Sequence, residues 1–250
     1  MTEQRKWALV TGASSGIGRS VAIALSQRYN LVLNGRDAAR LEETKTDCCL
    51  NAEIRLWPFD LGHVDEVSDG LTAFMRDTGL QITSFAHCAG ISRLLPIRST
   101  KLDDLRDTFN TNVFAPFLVV QTLASRRING DALKSVVFIS SNISNRGSKA
   151  FVAYGASKSG LDGLMRCLAV ELAPNVRVNS VLPGAVRTRM TESIFANEEV
   201  VARMKTQYPL GLGQTSNIAD AVSFLLSDKA SWITGQQITV DGGATINITG

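Results

Sequence analysis

The sequence predicts an α/β fold: a single domain over residues 1–250, built on a doubly wound sheet of seven parallel strands. Three observations carry the prediction. Seven short runs rich in apolar and β-branched residues recur along the chain, stretches with apolar residues every three or four positions lie between them, and no Gly/Ser/Pro linker, repeat or low-complexity segment interrupts the alternation. Strands that read as continuously apolar need cover on both faces, which helices on either side of a parallel sheet supply.

The elements follow in order. WALV near residue 7 is the first strand; it runs into TGASSGIG at 11–18 and a helical pattern over 19–27. LVLN near 31 is the second, ending at Gly35, Arg36 and Asp37. IRLWPF near 54 is the third, closing on Asp60 and followed by a helix over 64–75. SFAHC near 84 is the fourth and leads into Cys88, Ala89 and Gly90, then into a long helix over 102–123. SVVFIS near 135 ends at Ser141 and is followed by a helix over 156–171. VRVNSVL near 176 and QQITV near 236 complete the sheet. Residues 189–213 break the rhythm, being polar, helical only in NEEVVARMK, and bounded by PG and GLG; the segment reads as a substrate lid at about 189–213 or as an ordinary surface excursion.

Composition narrows the function. With 44% hydrophobic and 20% charged residues the chain is an ordinary globular protein, and its net charge of +3 is spread thinly, so no nucleic-acid partner is expected. The four cysteines show no CxxC spacing, adjacent Cys48 and Cys49 suit no common metal ion, and His63 and His87 are the only histidines. A metal site and a Ser-His-Asp triad both lack parts. The start, MTEQRKWALV, passes directly into a strand pattern, and no apolar run reaches the length of a membrane span, so the protein is expected to be cytoplasmic without a membrane partner.

Gly12, Gly16 and Gly18 stand between a buried strand and a helix, where tight turning and close backbone approach favour residues without a Cβ. The N–H groups and dipole of such a helix can hold a pyrophosphate. That is the logic of a Rossmann dinucleotide fold, here with GxxxGxG spacing. At the end of the second strand, where a carboxylate would take the ribose hydroxyls of NAD, Gly35 and Arg36 appear instead. An arginine suits the 2′-phosphate of NADP, Arg19 offers a second cation, and Asp37 leaves NAD open.

In AYGASKSG, at 153–160, Tyr154 and Lys158 share a helix face thirteen residues after Ser141. Together with TGASSGIG, CAG at 88–90, Asn112 in FNTNVF, PGAVRT at 183–188 and ITGQQITVDGG near the end, these residues resemble the short-chain dehydrogenase/reductase family over essentially the whole chain. Within it the sequence is most similar to 3-oxoacyl-(acyl carrier protein) reductases. The resemblance implies an NADPH-dependent carbonyl reductase acting on a small-molecule carbonyl or alcohol, without a metal. It assigns Tyr154 as acid/base, Lys158 as the cation that lowers the phenol's pKa and holds the nicotinamide ribose, Ser141 as the donor to the substrate oxygen, and Asn112 as anchor of a proton relay to Lys158. Cofactor contacts are assigned to Gly12, Ser14, Ser15, Gly16, Ile17, Gly18 and Arg19 in the turn, and to Arg36. Asp60 falls at the adenine edge with Leu61 beside it, Ala89 and Gly90 follow the fourth strand, and Pro183, Gly184, Val186 and Thr188 approach the nicotinamide.

The chain departs from the family in having Cys88 where an asparagine usually braces the central sheet, and in the shortness of ELAPNVRVN. Cys88 reads as a small buried filler, and His87 as a satisfied histidine at a strand end. The substrate pocket is expected from 91–97, 146–151 and the segment after Thr188, where Leu94, Leu95, Phe151, Met190 and Ile194 mix with Arg93, Arg146 and Arg189. Those arginines suit a carboxylate, phosphate or thioester tail, or simply face water. The family also implies a homotetramer formed through helices near 102–123 and 154–173 and the C-terminal segment. An NAD-dependent alcohol or polyol dehydrogenase and a non-catalytic NADP-binding regulatory module are the alternative readings.

Overall fold

The computed structural model describes residues 5–248; residues 1–4 and 249–250 of the expected domain lie outside the described residues. The chain alternates strand and helix: β1 (Trp7–Thr11), α1 (Gly16–Leu25), β2 (Asn30–Gly35), α2 (Ala38–Thr46), β3 (Ile54–Pro58), α3 (Val67–Thr78), β4 (Ile82–His87), α4 (Leu102–Phe109), α5 (Ala115–Ala124), the single turn α6 (Arg126–Asn129) and β5 (Ser135–Ile139). It continues with α7 (Val152–Glu171), β6 (Arg177–Pro183), the single turn α8 (Glu192–Phe195), α9 (Glu198–Gln207), α10 (Thr215–Leu226) and β7 (Gln237–Val240). The seven strands lie in the order β3-β2-β1-β4-β5-β6-β7, every pair parallel.

Successive residues of a strand point to opposite faces, and the core divides accordingly. On one face Leu9, Phe85, Phe138 and Val178 pack with Leu71, Val119, Leu161 and Met165 from α3, α5 and α7. On the other, Val10, Leu33, Ala86 and Val137 pack with Val21, Leu25, Val222 and Leu225 from α1 and α10. Burial on both faces explains the uninterrupted apolar strands in the sequence.

The strand order reverses between β1 and β4, and at such a switch point the connections leave the sheet in opposite directions and open a crevice at the strands' C-terminal ends. That geometry decides where a ligand can sit.

One expected helix is broken. Residues 102–123 form α4 and α5 joined by a wide π-turn over Asn110–Phe114, in which the Ala115 N–H bonds to the Asn110 carbonyl. Pro116 at the start of α5 has no N–H to offer the Asn112 carbonyl, so the ladder shifts by one residue there. The segment 189–213 leaves the sheet after β6 and returns at a parallel bridge between Val186 and Gly213. Its far end is tied down by the Tyr208 hydroxyl, which accepts from the Ala185 N–H at 2.9 Å, and by the Leu210 N–H, which donates to the Gly242 carbonyl at 3.1 Å.

Candidate active site

The crevice is a cleft of about 280 Å³ whose walls come from the C-terminal ends of β1, β2, β4, β5 and β6. Gly12, Ser14, Ser15, Gly16, Ile17 and Gly18 line one end, and Ser141, Tyr154 and Lys158 line the other. Arg36, Asp60 and Leu61 lie toward the β2–β3 side, Ala89 and Gly90 in the middle, and Pro183, Gly184, Val186 and Thr188 along the β6 side.

The glycine turn is a cradle that side chains would fill. A Cβ on Gly18 would stand 2.2 Å from the Gly12 carbonyl oxygen, and Gly12 itself has φ 64° with its Cα against the Ala89 backbone. Ser15 caps α1 without a side-chain hydrogen bond, and no acidic residue stands in the first turn, so the helix N-terminus meets the cleft as bare N–H groups. A dinucleotide pyrophosphate fits this arrangement.

At the end of β2 the cleft is lined by Asn34, Gly35 and Arg36, of which Arg36 alone carries a charge. Its Nη1 lies 3.8 Å from Asp60 Oδ2, and the Arg36 side chain is 71% exposed. Asp37 is turned away as the N-cap of α2, accepting from the Arg40 N–H at 3.2 Å. Arg19 lies outside the cleft lining, its guanidinium paired with Asp47. The second cation expected beside Arg36 is therefore already occupied on the surface of α1.

The serine, tyrosine and lysine come from two elements. Ser141 ends the β5 run as cap of the turn Asn142–Asn145, its Oγ accepting from the Ile143 N–H at 3.2 Å. Tyr154 and Lys158 lie one helical turn apart on α7. Burial pushes the Tyr154 phenol up, and its hydrogen bond with Ser141 pulls it partly back. Lys158 is buried, donates from Nζ to the Ile139 carbonyl at 2.8 Å, and sits 5.7 Å from the centre of the Tyr154 ring. Desolvation brings it down to about 8, opposed by Asp162 and Cys88. The ammonium lies beside the Tyr154 ring, and the phenol nevertheless lies above rather than below its ordinary value.

Asn112 does not line the cleft. The π-turn carries it behind Gly90, where Oδ1 accepts from the Ile91 N–H at 2.9 Å and Nδ2 donates to the Ile91 carbonyl and to Ser157 Oγ, each at 3.0 Å. Ser157 in turn donates to the Tyr154 carbonyl at 2.7 Å. A Cβ on Gly90 would meet Asn112 Oδ1 at 3.3 Å and Lys158 Nζ at 3.5 Å. The space that glycine leaves open lies between those two polar atoms.

Sequence reasoning passed over Thr11. Its Oγ1 accepts from the N–H groups of Cys88 at 3.2 Å and Ala89 at 3.3 Å, so its own proton goes to His87 Nδ1 at 2.9 Å. His87 is thereby held as the Nε2–H tautomer; burial, reinforced by Lys158, pushes it well below the ordinary imidazole value, with the Thr111 carbonyl opposing. Thr11 and His87 supply the brace between β1 and β4 that Cys88 cannot. The Cys88 thiol is pushed up to about 12 by burial and stays protonated, as a filler should.

The expected substrate wall is reached in part. Ile91, Arg189, Met190 and Thr191 line the cleft. Arg93 is tied to Asp104 at 2.6 Å and Asp107 at 2.8 Å on α4, which leaves it no free fork for a ligand. The segments 91–97 and 146–151 meet through the Leu95 N–H on the Ala150 carbonyl, and the Phe151 ring stands edge-on to Tyr154 at 6.0 Å. Among the described residues no group of three or more metal-ligating side chains forms a site, and no helix is long and apolar enough to cross a membrane.

Comparison with known proteins agrees with this geometry. The family model described as enoyl-(acyl carrier protein) reductase matches residues 12–245. The chain is 35% identical to the gluconate 5-dehydrogenase of Gluconobacter oxydans over 96% of its length and 95% of the relative's. It is 33% identical to a 3-oxoacyl-[acyl-carrier-protein] reductase of Staphylococcus aureus over 95% of its length and 97% of the relative's. The crystal structure of a short-chain type dehydrogenase/reductase from Mycobacterium ulcerans superposes with a TM-score of 0.88 at 33% identity, covering 99% of this chain and 92% of that one. A glycine cradle at the strand switch, a Ser-Tyr-Lys wall opposite it and relatives matched nearly end to end lead to one conclusion: the chain belongs to the short-chain dehydrogenase/reductase family, oxidoreductases that act on CH–OH and C=O groups with nicotinamide dinucleotides.

Proposed function

We propose that the protein is an NADPH-dependent carbonyl reductase that uses Ser141, Tyr154, Lys158 and Asn112. The observation that carries the proposal is the convergence of Ser141, Tyr154 and Lys158 on one wall of the cleft whose other end is the glycine cradle. Bound NADPH supplies the hydride; the remaining work falls to the chain. Ser141 and Tyr154 donate hydrogen bonds to the substrate oxygen and polarise the carbonyl, and Tyr154 delivers the proton as negative charge develops there. The ammonium of Lys158 stabilises the phenolate left behind and holds the nicotinamide ribose. Asn112, fixed by Ile91 and Ser157, holds the inner side of the Gly90 gap, through which a proton can pass to Lys158.

Arg36 supports NADP(H) over NAD(H), since it is the cleft cation at the β2 end while Asp37 is spent capping α2. Ser14, Ser15, Ile17 and Leu61 complete the adenosine side, and Thr188 meets the carboxamide. Residues 189–213 serve as the substrate lid. The substrate class is a ketone with an apolar body, a 3-oxoacyl thioester being the first candidate, and Arg146 and Arg189 are the cations open to an acidic or thioester tail because Arg93 is already paired. Exposed Leu102, Phe114, Phe117, Val152 and Val170 on α4, the π-turn, α5 and α7 support a homotetramer. The free cysteines suit the reducing cytoplasm.

The test is the rate of NADPH and of NADH oxidation with an acetoacetyl thioester, beside Tyr154→Phe. Turnover that prefers NADPH and disappears in Tyr154→Phe, with cofactor affinity retained, is the expected result. Full activity in Tyr154→Phe overturns the mechanism; cofactor binding without turnover on any carbonyl favours a regulatory module.

A further inference from the structure

One buried charged side chain has no part in the chemistry above. Asp162 lies on α7 one helical turn beyond Lys158 and is 1% exposed. Its Oδ2 accepts from the Ser140 hydroxyl at 2.8 Å, and the same hydroxyl lies 3.4 Å from the Lys158 carbonyl. Its Oδ1 meets no donor among the described residues. A helix that packs on a sheet has ample room for an apolar residue there, and burying a carboxylate is costly unless a charge answers it.

Lys158 poses the complementary problem. It is 3% exposed, and one of its three donors is used by the Ile139 carbonyl. An ammonium so placed needs a counter-charge to stay protonated. The titratable groups that act on its charge are Tyr154 and Asp162 on α7, and His87 and Cys88 at the end of β4, none of them in a direct ion pair with it among the described residues. Tyr154 and Cys88 are held in their neutral forms and His87 carries no charge. β5 and the turn Asn142–Asn145 contain no ionisable side chain, and the only one on β6, Arg177, bonds to the Leu225 and Ser227 carbonyls at the far end of that strand. On α4, Asp104 and Asp107 are paired with Arg93. Among the described residues Asp162 is the carboxylate left to answer it.

We propose that Asp162 is a positioning residue whose carboxylate, steered by Ser140, is the counter-charge that keeps Lys158 an ammonium in the cleft. The proposal deepens the reading of Lys158 given above and rests on it. Ser140 is the part that makes the arrangement specific: it sits next to Ser141 in the chain, so the turn that presents one hydroxyl to the cleft presents the other to the carboxylate beneath it.

The experiment follows the titration of Lys158 directly, without substrate or cofactor, so that failure of the reductase reading leaves it interpretable. Protein carrying ε-¹³C-lysine is titrated by NMR, with the Lys158 signal identified by its loss in Lys158→Met. The wild-type midpoint is expected near about 8. Asp162→Asn, which keeps the shape and removes the charge, is expected to lower it by about one unit or more. Ser140→Ala, which keeps the charge and removes the staple, is expected to move it less than half as far. An unchanged midpoint in Asp162→Asn, or equal shifts in both variants, overturns the proposal, because a purely structural staple would disturb stability without separating the two. Should Asp162→Asn fail to fold, Asp162→Glu decides: it keeps the charge, so a Lys158 midpoint within about half a unit of the wild type is the expected result, and a fall of about one unit or more overturns the proposal.

Discussion

Replacing Arg36 with alanine tests the cofactor preference through a single charge. The guanidinium is 71% exposed and 3.8 Å from Asp60, a solvent-screened pair worth less than ~1 kcal/mol, so turning toward a phosphate costs it little. A 2′-phosphate carries about −1.5 to −2 charges at neutral pH. At about 4 Å and in a largely aqueous setting each unit charge contributes ~1 kcal/mol, so the dianion contributes ~2 kcal/mol, about 30-fold in affinity. Arg36→Ala should therefore weaken NADPH binding about 30-fold and leave NADH within about twofold, and Arg36→Asp should reverse the preference by adding repulsion. Fluorescence titration of both reduced cofactors at two salt concentrations measures it. The NADPH advantage should shrink at the higher salt, because the Debye length falls from about 10 Å at 0.1 M to about 3 Å at 1 M and an exposed pair at about 4 Å is then screened. A ratio of affinities unchanged in both variants refutes the reasoning and returns the question to Asp37.

Three further outcomes are expected. Thr11→Val leaves the Cys88 and Ala89 N–H groups and His87 Nδ1 without their shared partner, so stability to urea should fall by about 2–4 kcal/mol, and a loss below ~1 kcal/mol would show that the brace lies elsewhere. Gly90→Ala sets a methyl 3.3 Å from Asn112 Oδ1 and 3.5 Å from Lys158 Nζ; the fold should absorb it for less than ~1 kcal/mol while turnover drops more than about tenfold, and undiminished turnover counts against a role for that gap. Lys158 is held at about 8 against an ordinary 10.5, so between those values the unfolded chain binds the extra proton and this group's contribution to stability rises with pH. The stability of the wild type relative to Lys158→Met should accordingly improve from pH 8 to 10.5, and a flat difference between denaturant midpoints would mean that the lysine is not desolvated.

Much of this was legible in the residues. Strand periodicity and the glycine spacing reflect local rules, so the seven strands, the turn at 11–18 and the shared helix face of Tyr154 and Lys158 could all be read directly. What escaped depends on partners far away in sequence. Apolar spacing runs unbroken through 102–123, and only the missing N–H of Pro116, together with the pull of Ile91 on Asn112, turns one helix into two around a π-turn. Arg93 looks free until α4 brings Asp104 and Asp107 beside it, and Arg19 until Asp47 meets it from the end of α2. The burial of Asp162 is not legible in the sequence, because nothing in GLDGL reveals that Ser140 waits opposite.

The bridge between Val186 and Gly213, with Tyr208 pinned to Ala185, holds the two ends of the 189–213 excursion side by side on the sheet. Because that closure is made by the scaffold, lengthening the excursion adds only about 0.6 kcal/mol per doubling. The chain thus carries a docking frame into which evolution or an engineer can graft a different loop without reopening the fold, and residues 189–213 can diverge while the cradle and the hydroxyl wall stay where they are.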